Sequence, residues 1–241
     1  MTTQTPLAGL TLAFDTSSRI LDVVLTDGTE TCRYTTDAGR RHNELLAEAI
    51  RGLFAEWSAD PRELARIVCC RGPGSFTGLR IGIATAKGIA AFQNLPVYAV
   101  PTLTAYRVAS PRQLVISTID GRKNRFYTEL FEGRQSLFGP VDVEPRGIVD
   151  AISTLRGSAF HPFPSGKGST IHVIGPDSRR FIEEIEAVSA ETARRLEPDT
   201  AYFDGVAEAL IACVRDSEDE TTFLLDEASG PEYLRPSQAE E

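Results

Sequence analysis

Three strand-like segments in a row, followed by helix and strand in alternation, restrict this chain far more than its composition does. LTLAFDTS is an apolar run ending at Asp15, and ILDVVLTDG and ETCRYTT follow it, parted by the turn residues Asp27 and Gly28. Together they predict an antiparallel meander. HNELLAEAIRGLFAEW places Leu45, Leu46, Ala49, Ile50, Leu53 and Phe54 on one helical face. PRELA, opened by Asp60 and Pro61, predicts a short helix. RIVCCRG then predicts a strand, residues 79–92 a helix and PVYAV a last strand.

Parallel strands need helical crossovers, and the order βββαβαβ is that of a ribonuclease-H-like fold. Pro101 marks a transition into a second α/β unit. There PTLTAYRVAS reads as a helix, QLVISTID and NRFYTELFEGR as a hairpin, and IHVIGPD as a strand. FIEEIEAVSAETARRL and YFDGVAEALIACVRD read as helices, with the Pro- and Gly-rich SAFHPFPSGKGST as a loop before them. The expected division is a first lobe over 1–100, a smaller lobe over 101–200, a late helix over 201–216 returning to the first lobe, and an extended tail over 217–241.

Composition excludes several classes. A net charge of −9 argues against a chain that grips a nucleic-acid backbone alone, because phosphate neutralisation dominates such affinity. No apolar run approaches the roughly 20 residues of a membrane span, and the N-terminus lacks a basic, then apolar, leader. No membrane association and a cytoplasmic location are expected. Cys32, Cys69, Cys70 and Cys213 show no disulfide or zinc spacing, and Cys69 and Cys70 read as buried small apolar residues.

RGPGSFTGLRIG carries the glycine-rich look of a phosphate cradle. A Walker loop needs a lysine directly after its last glycine, but Gly78 is followed by Leu79 and Arg80, and the next lysine is Lys87. The dinucleotide pattern fails too, because three residues part Gly74 from Gly78. A tight turn capped by Ser75 or Thr77 is the favoured reading of these residues. The following helix holds Gly82, Ala84, Ala86, Gly88, Ala90 and Ala91. Each glycine costs about 1 kcal/mol in a helix, so close packing must offset it. Spacing alone favours the chain's own sheet over a subunit interface.

Two enzyme classes would each require particular residues. A metalloprotease needs a paired-histidine motif, but His42 has Leu46 four residues on, and only His161 and His172 remain. An ATP-dependent phosphotransferase of the sugar-kinase kind would use Asp15. The second half, however, lacks a glycine-rich adenosine motif, and an Asp15 turn with Thr16 and Ser17 is the simpler reading.

AFDTSS, RRHNELLAEAI, CRGPGSFTGLRIGIATAKGIA, VPTLTA, TIDGRKNRFY and the terminal PEYLR resemble, in that order, the motifs of the TsaB family. The resemblance implies an α/β actin-like ATPase fold of two ribonuclease-H-like lobes, the second reduced. It implies a non-catalytic subunit for threonylcarbamoyladenosine synthesis on tRNA, binding and stabilising the paralogue TsaD, with the ATPase TsaE joining the complex. The chain would form a homodimer when alone and meet tRNA only through the complex. The phosphotransferase is the alternative and the protease the least favoured. The implied interface comprises Arg41, His42, Leu45, Leu46, Ala49, Leu79, Gly82, Ile83, Ala86 and Ala90. A vestigial nucleotide site would fall on Asp15, Thr16, Ser17, Gly72, Gly74, Ser75, Thr77 and Gly78. No metal and no cofactor are expected, any nucleotide binding being weak or shared with a partner. Arg122, Lys123 and Arg125 are read either as a solvated turn or as facing tRNA.

Overall fold

The structure, a computed structural model, describes residues 9–157, 170–226 and 228–234. The described residues divide into two units, one of residues 9–109, 205–226 and 228–233, the other of 110–157, 170–204 and 234.

The first unit opens with β1 (Leu10–Asp15), β2 (Ile20–Thr26) and β3 (Thr31–Asp37), followed by α1 (His42–Glu56). A 3-10 turn at Pro61–Glu63, capped by Asp60, leads into β4 (Leu64–Gly72). The strand therefore begins within the predicted PRELA helix. Then come α2 (Phe76–Gln93), β5 (Val97–Pro101) and α3 (Thr102–Ala109). The sheet order is β3-β2-β1-β4-β5, with β1 antiparallel to β2 and parallel to β4. All six residues of β1 are buried, as a strand covered on both faces requires. Leu12, Phe14, Ile67 and Cys69 face a core shared with α1 and α2. Ala13, Val68 and Cys70 face an opposite core. The adjacent cysteines thus point to different layers.

The second unit runs through β6 (Leu114–Arg122), β7 (Arg125–Glu132), β8 (Gln135–Val143), α4 (Pro145–Gly157), β9 (Ile171–Ile174), α5 (Ser178–Val188), α6 (Ala190–Ala193) and β10 (Leu196–Asp199). Its sheet order, β10-β9-β6-β7-β8, repeats the first topology strand for strand. This unit is smaller in residues but keeps all five strands. The sequence reading missed β8, α4 and β10, and took α5 and α6 as one helix. Ser189 divides them by capping Thr192. Even the loop chemistry recurs: β4 ends in Gly72-Pro73 before α2, and β9 is followed by Gly175-Pro176 before α5. Of the predicted loop over 158–170, residues 158–169, with His161, lie outside the described residues.

The units meet at 109/110 and 204/205, where the expected lobe boundaries were 100/101 and 200/201. Helix α3 belongs to the first unit, because Leu103, Ala105 and Tyr106 are buried there and Ala105 joins the core with Val68 and Val100. The late helix, α7 (Tyr202–Arg215), leaves helical geometry at Gly205, and Ala207, Leu210, Ile211 and Val214 complete that same core. Among the described residues the expected extended tail is interrupted by a turn. A 3-10 turn at Glu220–Phe223 precedes Leu225, which donates its N–H to the Val97 carbonyl.

Candidate functional site

The glycine loop lies closed against the end of β1. Ser75 donates its N–H to the Ser17 carbonyl at 2.6 Å, and its own hydroxyl accepts the Gly78 N–H at 3.2 Å, capping α2. Ser75, not Thr77, is therefore the cap. A Cβ on Gly74 would lie 2.5 Å from the Ser17 carbonyl oxygen, and one on Gly78 closer still to that of Thr16. These glycines exist so that two backbones can touch. The N–H groups of Ser75 and Gly78, which an open cradle would aim at an anion, are bonded inside the loop.

Asp15 is 1% exposed, with Thr16 and Ser17 buried beside it. Its carboxylate accepts the Ser17 N–H at 2.7 Å, the local turn that the sequence suggested. The Tyr106 hydroxyl lies 3.0 Å from that of Ser17 and 3.5 Å from Asp15. Across the hairpin Asp15 sits opposite Asp22.

Burial pushes the Asp15 carboxyl above its ordinary 3.8, against hydrogen bonds from Ser17 and Cys70, and the charge of Asp22 adds to the rise. A carboxyl raised in the folded state holds a proton that the unfolded chain has released. Stability therefore falls as pH climbs from 3.8 through the raised value. His42 runs the other way. Burial lowers its ring below 6.5, outweighing the charge of Asp15 and the carbonyls of Ile20 and Ser18. Here stability is lost as pH drops below 6.5. Melting curves across pH should show Asp15→Asn more stable than the parent at neutral pH, with the gain fading toward 3.8. His42→Gln should flatten the decline below neutrality. An Asp15→Asn chain that melts lower at neutral pH would mean that the ionised carboxylate is needed.

Most of the interface positions expected on α1 and α2 face the chain's own core. Leu79, Gly82, Ile83, Ala86 and Ala90 are buried, as are His42, Leu46 and Ala49. Gly82 and Ala86 let α2 press onto the sheet: a Cβ at Gly82 would collide with the Thr16 hydroxyl and approach the Phe14 ring at 3.6 Å. Only Arg41, exposed, and Leu45, half-buried, stand toward the surface. The outward stripe of α2 is Arg80, Ala84, Gly88, Ala91 and Phe92. Phe92 is 85% exposed, and a Cβ at Gly88 would meet nothing.

The tail borders one side of this stripe. Tyr233 stacks on Phe76 at 4.9 Å and accepts a hydrogen bond from Arg80, whose guanidinium lies 3.8 Å from the Phe76 ring centroid. Glu232 donates its N–H to the Arg71 carbonyl over Gly72, and Lys87 donates to the Ser229 carbonyl at 2.6 Å. Sequence reasoning had PEYLR as a motif but no sign of where it docks.

It also missed Asp22. This buried carboxylate accepts from Arg33 at 2.7 Å, from Thr35 at 2.6 Å and from the Ala207 N–H at 2.8 Å. It thereby fixes the start of α7 to β2. The apolar run of ILDVVLT hid it, since a lone acidic residue inside such a run reads as an exposed position. In the second unit, Arg122 and Lys123 are exposed on a hairpin turn. Arg125 pairs with Asp142 at 3.0 Å and with Glu144 at 3.5 Å. Among the described residues no group of three or more His, Cys, Asp or Glu is placed to hold a metal, and no helix is long and apolar enough to cross a membrane.

The solved structure of YeaZ from Pseudomonas aeruginosa superposes on this chain with a TM-score of 0.66 at 21% identity, covering 93% of this chain and 99% of that one. With two five-stranded mixed sheets of one topology, this gives the chain an α/β fold of the actin-like ATPase type. The family model for TsaD, tRNA N6-adenosine threonylcarbamoyltransferase, matches residues 35–154. The tRNA threonylcarbamoyladenosine biosynthesis protein TsaB of Bacillus subtilis (strain 168) is 32% identical over 134 residues, 54% of this chain and 58% of that protein. Its counterpart in Escherichia coli (strain K12) is 31% identical over 121 residues, 48% of this chain and 52% of that protein. Over these stretches the chain is similar to TsaB proteins and to the TsaD family. It spans about half the length of the curated relatives it matches.

Proposed function

We propose that this chain is a non-catalytic partner subunit in threonylcarbamoyladenosine synthesis on tRNA. It binds and stabilises TsaD, works in a complex that TsaE joins, pairs with itself when alone, and meets tRNA only through the assembly. One observation carries the reading: the loop is closed while the helix behind it is open. The Ser75 and Gly78 N–H groups are bonded internally and Asp15 is buried, which supports a role without phosphate chemistry. Ala84, Gly88, Ala91 and Phe92 are exposed, which supports helix-to-helix contact with a partner. The relatives' role in tRNA threonylcarbamoyladenosine biosynthesis supports the choice of partner.

The test is co-purification with TsaD of the same organism, with tRNA modification assayed in the presence and absence of this chain. Ala84→Leu, Gly88→Leu and Ala91→Leu should each abolish association and modification with the melting temperature nearly unchanged. Ala86→Leu, facing the sheet, should instead lower stability by about 1–3 kcal/mol. Outward variants that bind TsaD at parental strength would place the interface elsewhere. Metal-dependent ATP turnover lost in Asp15→Asn would favour the phosphotransferase reading.

A further inference from the structure

An apolar cavity of about 270 Å³ lies between α1, the Pro61–Glu63 turn and α2. Its walls are Leu12, Ile50, Phe54, Pro61, Leu64 and Ile89, and Arg51 is the one charged residue that borders it. The volume exceeds the roughly 150 Å³ of an apolar cavity that takes up benzene. Its apolar walls offer dispersion contacts to a hydrocarbon group. Arg51 is exposed, and among the described residues it has no hydrogen bond, ion pair or ring contact. A guanidinium free at the edge of an apolar well selects a molecule with a hydrocarbon body and an anionic head, ideally a carboxylate that can take two parallel N–H bonds.

We propose that this cavity binds a medium-chain amphipathic carboxylate, its hydrocarbon against Ile50, Phe54 and Ile89 and its head on Arg51. The site stands on the cavity and its charge, and does not rest on the complex proposed above. Trp57, the only tryptophan, packs partly buried against the same core one turn beyond Phe54 and serves as the reporter. Fluorescence and calorimetric titrations of the full chain would use octanoate below its micelle-forming concentration, with octanol and octyltrimethylammonium as controls.

Saturable binding in the order octanoate, octanol, octyltrimethylammonium is expected. Arg51→Glu, on the surface, should weaken octanoate about tenfold, the loss of one charge-assisted contact, while leaving octanol unchanged. Ile89→Phe should fill the cavity and abolish both. If that variant fails to fold, Arg51→Glu and the head-group series still decide. Absence of saturable binding would overturn the proposal. So would equal binding of the three probes, or an unchanged octanoate affinity in Arg51→Glu, either of which would leave the cavity as a socket for a partner's apolar side chain.

Discussion

Replacing Gly78 by alanine should destabilise the protein by about 3 kcal/mol or more, roughly 6–12 °C in melting temperature for a chain of this size. In most helices the same change gains about 1 kcal/mol. Here the added methyl would fall within 3.0 Å of the Thr16 carbonyl oxygen, a backbone atom that cannot rotate away. Either the start of α2 lifts from the end of β1, breaking the bonds between Ser75 and Ser17 and between Gly78 and the Ser75 hydroxyl, or the strand end shifts and disturbs Asp15. Gly88→Ala is the internal control. It lies on the same helix with open space around it, so it should raise the melting temperature by about 2–4 °C. Thermal melts by circular dichroism read both. Equal effects of the two substitutions would show that the loop tolerates separation from β1.

Asp22→Ala should cost about 3–5 kcal/mol, the range for stripping one partner from a buried, hydrogen-bonded charge. Three donors lose their acceptor at once: the Arg33 guanidinium, the Thr35 hydroxyl and the Ala207 N–H, the last in a fully buried residue. Asp22→Asn should recover only part of the loss. Its amide keeps one oxygen, so either the Arg33 and Thr35 side or the Ala207 side faces an NH2 donor. Denaturant titration gives the magnitude, and amide exchange gives the location. Protection should fall first along residues 206–215, because Asp22 caps that helix from a strand far away in sequence. Protection lost evenly over the chain would argue against this local role.

Both positions bear on how function is divided within the first unit. The end of the β1–β2 hairpin is committed to internal contacts: Asp15 to its turn, Asp22 to α7, and the glycine loop to Thr16 and Ser17. What remains exposed is the outer side of α2 and the surface residues of α1. Substitutions at the hairpin end should therefore act through stability, and those on the outer helix face through association.

The first meander and its helices were legible because apolar spacing and turn residues are local signals. LTLAFD, HNELLAEAI and RIVCC each announce their period within a few residues. The duplicated topology was less so. β8, with Gly139 and Pro140 inside it, and the four-residue β10 are too interrupted or too short to show a period, and exist as strands because a neighbour supplies their hydrogen bonds. The glycines of the loop could be read from sequence as needing room, but not what they make room for. Thr16 and Ser17 lie about sixty residues away, and only folding brings those carbonyls to Gly74 and Gly78. The same holds for the face of α2. Its small residues encircle the helix, so composition predicted close packing without a direction. The sheet decided it, burying Gly82, Ala86 and Ala90 and turning Ala84, Gly88 and Ala91 to the surface. Local sequence determined which segments are helix and strand, because those preferences act over a few residues. Tertiary structure decided which side of each is buried and which carboxylates are enclosed, because both depend on chain segments that meet only in the fold.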